Sequence, residues 1–250
     1  MSEVIWKKTL IPDLNLVPVD KSYEIYGQDF KIPSFFFPEN DQDLVTLPDR
    51  RAYRSMGRSS VLMSSVALEA KEKLKTVQEN KKFSVGLYAA IDNGPDDYQC
   101  VRLCLDAPEK DFVETYRKNR SPKQYLKQLP NLAPAQLGIF LDIRGPMNVY
   151  IHSKLGPIHA LEQAEFDLNN GIVDMALVCA SFSLEDPLLV ERTHKDVNYE
   201  KTLSEGAAAM ILVKNNEVLN WSSLAEENKR VHEKVYFGIA DQLINFCLKE

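Results

Sequence analysis

The chain has 250 residues, 44% of them apolar and 26% charged, which is typical of a globular protein and excludes wholesale disorder. Its net charge of −6 disfavours a nucleic-acid binder, because binding phosphates requires clustered positive charge. The uncharged apolar runs are shorter than the roughly 18 residues that a transmembrane helix needs, and the first residues lack the apolar core of a signal peptide. We therefore expect a cytoplasmic protein without membrane contact.

The four cysteines, Cys100, Cys104, Cys179 and Cys247, include no CxxC pair. The spacing of Cys100 and Cys104 places both on one face of a helix, where they could supply half of a metal site. A structural zinc site takes four ligands, however, and the remaining candidates are not clustered in the sequence. We therefore predict reduced, structural cysteines and no metal, as expected in a cytosolic chain.

The first part of the chain shows little periodicity. Residues 1–48 are rich in proline and aromatic residues and predict an irregular arm with short strands. Asp49 precedes a predicted helix over 50–77, in which apolar residues recur at helical spacing. A buried strand is predicted over 83–91, and a turn follows it. The acidic residues of that turn do not match a calcium loop, so we predict a solvated acidic loop at 92–97.

The remaining elements alternate between helices and strands. Helices are predicted over 98–105, 110–118, 125–129, 133–140 and 156–170, and strands over 147–151, 172–182 and 206–213. A hairpin turn at 215–216, a return strand over 218–221 and a C-terminal helix over 228–249 complete the chain. This order predicts a single α/β domain with a mixed sheet and a core over 49–221. The sequence contains neither a Walker loop nor GxGxxG, so nucleotide binding is not expected.

The most informative stretch is a strand that runs directly into a helix. The predicted strand Met147–Ile151 continues through His152-Ser153-Lys154 into the helix that begins at Gly156. The free N–H groups and the dipole at a helix N-terminus stabilise an anion, so enzymes place a nucleophilic serine or cysteine at such an elbow. The flanking Ile151 and Leu155 break the G-x-S-x-G pattern of hydrolases.

Several motifs occur in an order that resembles one enzyme family. They are Ser121-Pro122, Asn131-Leu132-Ala133-Pro134-Ala135, Asp142-Ile143-Arg144-Gly145-Pro146 with the strand after it, and the segments 172–180 and 205–213. Together and in register they resemble the ketosynthases of fatty-acid and polyketide assembly, which have the thiolase fold. The resemblance extends over residues 80–215. It implies the N-terminal half of a thiolase-like α/β fold, with a mixed five-stranded sheet and flanking helices.

Two departures from the family's pattern bear on activity. Counted from Ser121, and again backward from Gly171, the family's nucleophilic cysteine falls on Lys154. The sequence also ends where the family's second half, with its two catalytic histidines, would begin. The resemblance therefore implies a chain that is not an enzyme on its own, has no catalytic residue and no cofactor, and neither forms nor extends an acyl thioester.

Inactive members of this family, the chain-length factors, pair with a full-length ketosynthase and help to shape its acyl tunnel. The resemblance implies that role here, in a heterodimer of polyketide, aryl polyene or fatty-acid-type biosynthesis, with acyl carrier protein as an indirect partner. The implied interface is the elbow strand, formed by Met147, Asn148, Val149, Tyr150 and Ile151. The implied tunnel contacts are Tyr125, Leu126 and Leu129.

Two alternatives stay open, namely a degenerate thiolase-fold enzyme that uses Ser153 or Lys154, and a binding protein for acyl carrier protein. A lysine at a helix N-terminus could have a lowered pKa, which suits a Schiff-base amine. Lys154 could equally be a residue relaxed after catalysis was lost, or form an ion pair in a heterodimer. His159 is predicted to lie in the core or at an interface, and His194 in a solvated loop.

The predicted C-terminal helix carries one apolar stripe. The stripe consists of Val231, Val235, Ile239, Leu243 and Phe246, which recur at helical spacing. Half of a two-part fold would leave an apolar face bare, so we expect the stripe to cover that face. Each fully buried aliphatic side chain would contribute roughly 1.5–3 kcal/mol.

Overall fold

A computed structural model describes residues 2–25, 27–38, 40–78, 84–151, 154–214 and 232–249, without the side chains of 76–78. The strands are β1 (Ser2–Leu10), β2 (Val19–Ile25), β3 (Gln28–Phe35), β4 (Val85–Ile91), β5 (Met147–Tyr150), β6 (Met175–Phe182), β7 (Thr202–Ser204), β8 (Gly206–Lys214) and β9 (Val235–Tyr236). The hairpin turn and return strand predicted over 215–221 lie outside the described residues, as do His152, Ser153 and Val231.

The helices follow the sequence predictions closely in the middle of the chain. They are α1 (Arg58–Ala67), α2 (Lys71–Gln78), α3 (Tyr98–Asp106), α4 (Phe112–Asn119), α5 (Pro122–Gln128), α6 (Leu132–Leu141), α7 (Gly156–Asn169), α8 (Pro187–Asp196) and α9 (Asp241–Leu248). The predicted end of α7 is confirmed, because Gly171 takes a left-handed conformation (φ 68°) just after the helix. Helix α8 and strand β7 were not predicted.

A mixed sheet forms the centre of the molecule. Within the described residues it has five strands in the order β1-β8-β6-β4-β5. Strand β4 is parallel to both β5 and β6, whereas β8 runs antiparallel to β6 and β1. This arrangement confirms the predicted α/β class with a mixed five-stranded sheet.

Helices cover both faces of this sheet. On β4, Leu87 and Ala89 pack with residues of α1 and α6, whereas Tyr88 and Ala90 on the opposite face pack with residues of α7 and α9. Side chains alternate across a strand, so a strand covered on both faces needs apolar residues at successive positions. That requirement explains the continuous apolar runs from which β4, β6 and β8 were predicted.

The first 48 residues are not an irregular arm, which corrects the sequence prediction. Strand β1 forms one edge of the central sheet through its pairing with β8. Strands β2 and β3 pair in a hairpin, which joins β7 and β9 in a second sheet of order β2-β3-β7-β9. The β2–β3 hairpin is local, but β1 and the outer edge of β3 pair with strands more than 160 residues away along the chain, which local periodicity does not report.

The helix predicted over 50–77 is interrupted. Asp49 does cap its first turn, because its carboxylate accepts from the Arg51 N–H at 2.9 Å, but only a short 3-10 helix follows (Arg50–Arg54). The chain is extended at Gly57, and α1 begins at Arg58. The single predicted helix is therefore divided, with an extended residue, Gly57, between the 3-10 helix and α1.

Arg58 is the centre of a buried ionic cluster. Its guanidinium donates to both Glu205 oxygens, from Nε at 2.6 Å and from Nη2 at 2.8 Å, and to Asp41 from Nη1 at 2.9 Å. Nη2 also donates to the carbonyls of Phe37 and Pro38. Glu205 is fully buried, and the Arg58 side chain is 10% exposed. The cluster ties the N-terminal segment to α1 and to the β7–β8 junction.

The predicted C-terminal helix over 228–249 is wrong over residues 232–237, and its first residues, 228–231, lie outside the described part of the chain. Val235 and Tyr236 form β9, which pairs in parallel with β7, and Gly238 then takes a left-handed conformation (φ 52°) before α9 begins at Asp241. The predicted burial nevertheless holds for Val235, Ile239 and Leu243, which belong to the core beside α7. The apolar stripe thus predicts burial correctly, even though part of the segment pairs as a strand and does not form the predicted helix.

Candidate functional site

Among the strands that the structure describes, β5, the predicted interface strand, lies at an edge of the central sheet and has a neighbour on one side only, so this edge is open. It pairs with β4 on one side, in the register Met147 opposite Leu87 through Tyr150 opposite Ala90. The carbonyl of Pro146 accepts from the Leu87 N–H at 2.9 Å. Because main-chain groups alternate in direction along a strand, those of Met147 and Val149 point away from β4 toward the open edge.

The side chains of β5 are uncharged and only partly covered. Met147 and Ile151 are 37% and 41% exposed, and Asn148, Val149 and Tyr150 are half-buried. The opposite edge strand, β1, instead carries Lys7 and Lys8. Charged side chains on an edge strand oppose pairing with another chain, whereas an uncharged edge leaves its main-chain donors and acceptors available.

Helix α6 lies beside β5 and adds an exposed apolar side chain. A Cβ at Gly138 would lie 2.9 Å from the Met147 Cε atom, so this glycine gives the methionine side chain room to pack on the helix. Ile139, the next residue of α6, is 72% exposed. The sequence analysis missed Ile139, because within a continuous apolar run nothing marks which residue faces outward.

The predicted tunnel contacts lie on or just after α5. Ser121 caps this helix by accepting from the Gln124 N–H at 3.3 Å, and Pro122 occupies its first turn. Tyr125 is 62% exposed, Leu126 is 39% exposed and Leu129 is half-buried. These apolar side chains are accessible to a partner. Their predicted contact with the acyl tunnel of a ketosynthase stays a prediction.

At the elbow, Lys154 is held by a main-chain contact. Its Nζ donates to the carbonyl of Asp196, the last residue of α8, at 3.0 Å. A cation near a helix C-terminus is stabilised by the free carbonyls and the helix dipole. The sequence analysis could not find this contact, because α8 was not predicted.

The N-terminus of α7 is packed against the C-terminal segment. A Cβ at Gly156 would lie 3.2 Å from Ile239 Cδ1 and 3.4 Å from the Ala90 Cβ. Gly238 lies so close to Phe182 that its own Cβ would be 2.2 Å from a ring carbon. The apolar side chain of Ile239 therefore packs against the start of α7, which is where the sequence register places the nucleophile. An anionic intermediate at this position would need polar surroundings.

The structure excludes the core for His159, so its interface position stays a prediction, and it corrects the environment predicted for His194. The His159 side chain is 48% exposed, so it does not lie in the core; its Nδ1 is 3.4 Å from Glu162. His194 lies on α8 and is buried, with its ring edge-on to Tyr199 at 4.9 Å between centroids. Burial lowers the pKa of His194. The predicted solvated loop is therefore a helix that packs on the core.

The acidic loop after β4 is also more ordered than predicted. Asp92 is 5% exposed and lies 3.4 Å from the Arg192 guanidinium. Asp97 caps α3 through the Cys100 N–H and also accepts from the Ser121 N–H at 3.0 Å. The loop thus joins α3 to α5 and to α8.

Among the described residues, no group of three or more His, Cys, Asp or Glu side chains is arranged to hold a metal ion. In the same part of the chain, no helix is long and apolar enough to cross a membrane. All four cysteines are buried and free.

No family model and no curated protein matches the sequence. Solved structures do match. The ketosynthase ApeO in complex with its chain-length factor ApeC, from Xenorhabdus doucetiae, is 11% identical with a TM-score of 0.58, covering 86% of this chain and 58% of that one. A type II polyketide ketosynthase complex with its acyl carrier protein (AntDE:AntF) is 18% identical with a TM-score of 0.54, covering 73% and 53%. The ishigamide ketosynthase/chain-length factor is 14% identical with a TM-score of 0.51, covering 75% and 51%.

The chain spans between 51% and 58% of the length of these structures. At such low identity the likeness shows the fold. The protein has the thiolase-type fold of the ketosynthases and chain-length factors, as the ordered motifs predicted, and it contains part of that fold.

Proposed function

We propose that this chain is a non-catalytic, chain-length-factor-like partner of a full-length β-ketoacyl-acyl carrier protein synthase in the cytoplasm. The observation that carries the proposal is the open edge of β5, uncharged and flanked by the exposed apolar Ile139. In this role the chain forms a heterodimer and helps to shape the acyl tunnel of the synthase, while acyl carrier protein contacts the complex indirectly. Solved structures with this fold include ketosynthase complexes with chain-length factors.

The heterodimer uses two kinds of contact. Outward main-chain groups of Met147, Val149 and Ile151 continue the sheet into the partner, and this pairing also satisfies an open edge. Side chains of α5, led by Tyr125, and Ile139 of α6 supply apolar area. An obligate interface of this type buries about 2,000 Å² or more and is largely apolar.

The absence of catalysis rests on the elbow. Lys154 stands where the ketosynthase register places the nucleophile, and its amine is bonded to the Asp196 carbonyl. Ile239 packs against the first residue of α7. We expect the purified chain to be inert in acyl transfer and condensation, and a Lys154→Cys variant to stay inert, because the residues around the helix end are unsuited to an oxyanion.

The decisive experiment is co-purification. The affinity-tagged chain is co-expressed with each full-length ketosynthase of the same organism, and the complexes are examined by sedimentation and mass spectrometry. Val149→Pro removes an N–H at the open edge and should abolish the complex, whereas Val149→Ala, which keeps that N–H, and Lys154→Ala should leave it assembled. A wild-type chain that sediments as a monomer beside every ketosynthase would refute the heterodimer.

The same preparations test the alternatives. A degenerate enzyme would give a covalent acyl adduct on Ser153 or Lys154 when the chain alone is incubated with acyl thioesters. A binding protein for acyl carrier protein would retain that protein in the absence of any ketosynthase. If the chain is monomeric beside every ketosynthase and gives either of these results, the corresponding alternative function would be supported in place of the heterodimer.

A further inference from the structure

A cavity of about 380 Å³ lies between α3, α4 and α5. Its wall is mainly apolar and includes Phe112, Tyr116 and Tyr125, which are themselves partly exposed to solvent. Cys100 and Cys104 of α3 both line it. The cavity thus gives a small solute a route to two thiol groups.

The two thiols face one another across a single helical turn. Asp97 caps α3 at the Cys100 N–H, which fixes the first turn, and residues four apart on a helix have Cβ atoms about 5–6 Å apart. Cys100 and Cys104 are 3% and 5% exposed, and both thiol groups line the same cavity. The Cys100 thiol also lies 4.0 Å from the Tyr116 carbonyl oxygen.

This arrangement suits one kind of ion. A pair of thiolates does not complete the tetrahedral shell that zinc takes in structural sites. Soft thiolate ligands instead select Cu(I), which two sulfurs can bind, and Cys100 and Cys104 present their side chains to the same cavity from successive turns of α3. We propose that Cys100 and Cys104 form a two-coordinate Cu(I) site at the wall of the α3–α4–α5 cavity.

Binding exchanges protons for the ion without any redox change. Two S–H bonds break, two Cu–S bonds form, the copper stays Cu(I) and two protons go to solvent. Affinity should therefore rise with pH, with two protons released for each ion.

The test is a titration of the full, reduced chain with Cu(I) under anaerobic conditions, against a chromophoric Cu(I) chelator. We expect one equivalent to be bound, with a new thiolate-to-copper absorption band. Cys100→Ser and Cys104→Ser should each lower the affinity by about 100-fold or more, because one thiolate is left without its chelating partner. Cys247→Ser, on α9, should bind as the wild type does.

A relocation variant separates chelation from stability. The double substitution Cys104→Ser with Leu105→Cys keeps the number of thiols but turns the second one about 100° around the helix. It should bind as weakly as Cys104→Ser while its circular dichroism and melting temperature match those of that variant. No uptake by the wild type, or undiminished uptake by Cys100→Ser or by the relocation variant, would overturn the proposal.

Discussion

Replacing Glu205 by alanine should cost much more stability than breaking an ion pair at the surface. Its carboxylate is fully buried and accepts from Arg58 Nε and Nη2, from the Leu184 N–H at 3.2 Å and from the Phe37 N–H at 3.2 Å. Glu205→Ala removes all of these acceptors at once. The Arg58 charge would then remain in the interior with Asp41 as its carboxylate partner.

The expected size of the loss follows from burial. Breaking a buried ion pair by removing one partner costs about 3–5 kcal/mol, because the other charge stays desolvated. The exposed Asp49–Arg51 pair has a similar N–O distance of 2.9 Å, but its side chains are 45% and 83% exposed. Water screens such a pair, so Arg51→Ala should cost far less stability than Glu205→Ala.

Urea unfolding followed by circular dichroism measures both variants on one scale. Glu205→Ala should shift the unfolding midpoint strongly at an unchanged slope, whereas Arg51→Ala should barely move it. If Glu205→Ala loses no more stability than Arg51→Ala, the buried cluster does not hold the N-terminal segment on the core, and the reasoning from burial is wrong.

Three further substitutions probe the C-terminal segment and the carboxylate of Glu185. Gly238→Ala should lower the melting temperature more than Gly171→Ala, since both have positive φ but only the former would place a Cβ 2.2 Å from a Phe182 ring carbon. Leu243→Ala, at a fully buried site, should reduce the free energy of unfolding by about 2–5 kcal/mol in urea. Burial raises the pKa of Glu185, so the folded chain binds that proton more tightly and loses stability as pH rises from the ordinary glutamate pKa to the raised one. Glu185→Gln should flatten that fall in melts recorded across the acidic range.

Each of the three predictions can be contradicted by a specific result. Equal melting temperatures for the two glycine variants would mean that the segment yields to the added methyl group. A loss below about 1 kcal/mol for Leu243→Ala would place α9 outside the cooperative core. A pH profile unchanged by Glu185→Gln would assign the acidic slope to other groups, such as Asp41, whose pKa burial also raises.

The sequence by itself determined the central architecture. The continuous apolar runs of β4, β6 and β8 require burial on both faces, and the alternation of strands and helices then predicts an α/β domain with a mixed sheet. The motif register placed Lys154 at the elbow, and the spacing of Cys100 and Cys104 put both on one helical face. The strand and helix predictions held because they depend on local periodicity or on turn chemistry at Gly171, whereas the assignment of the nucleophile position to Lys154 stays a prediction.

Only the tertiary structure decided the rest, because the deciding partners are distant in sequence. Strand β1 takes its place by pairing with β8, and Val235 and Tyr236 leave a helical pattern to pair with β7. The Lys154 contact depends on α8, whose buried His194 gave no apolar signal in the sequence. An apolar residue in the sequence indicates a preference for burial. The packing of the whole chain decides which surface covers that residue, or whether it stays exposed at the edge of a sheet.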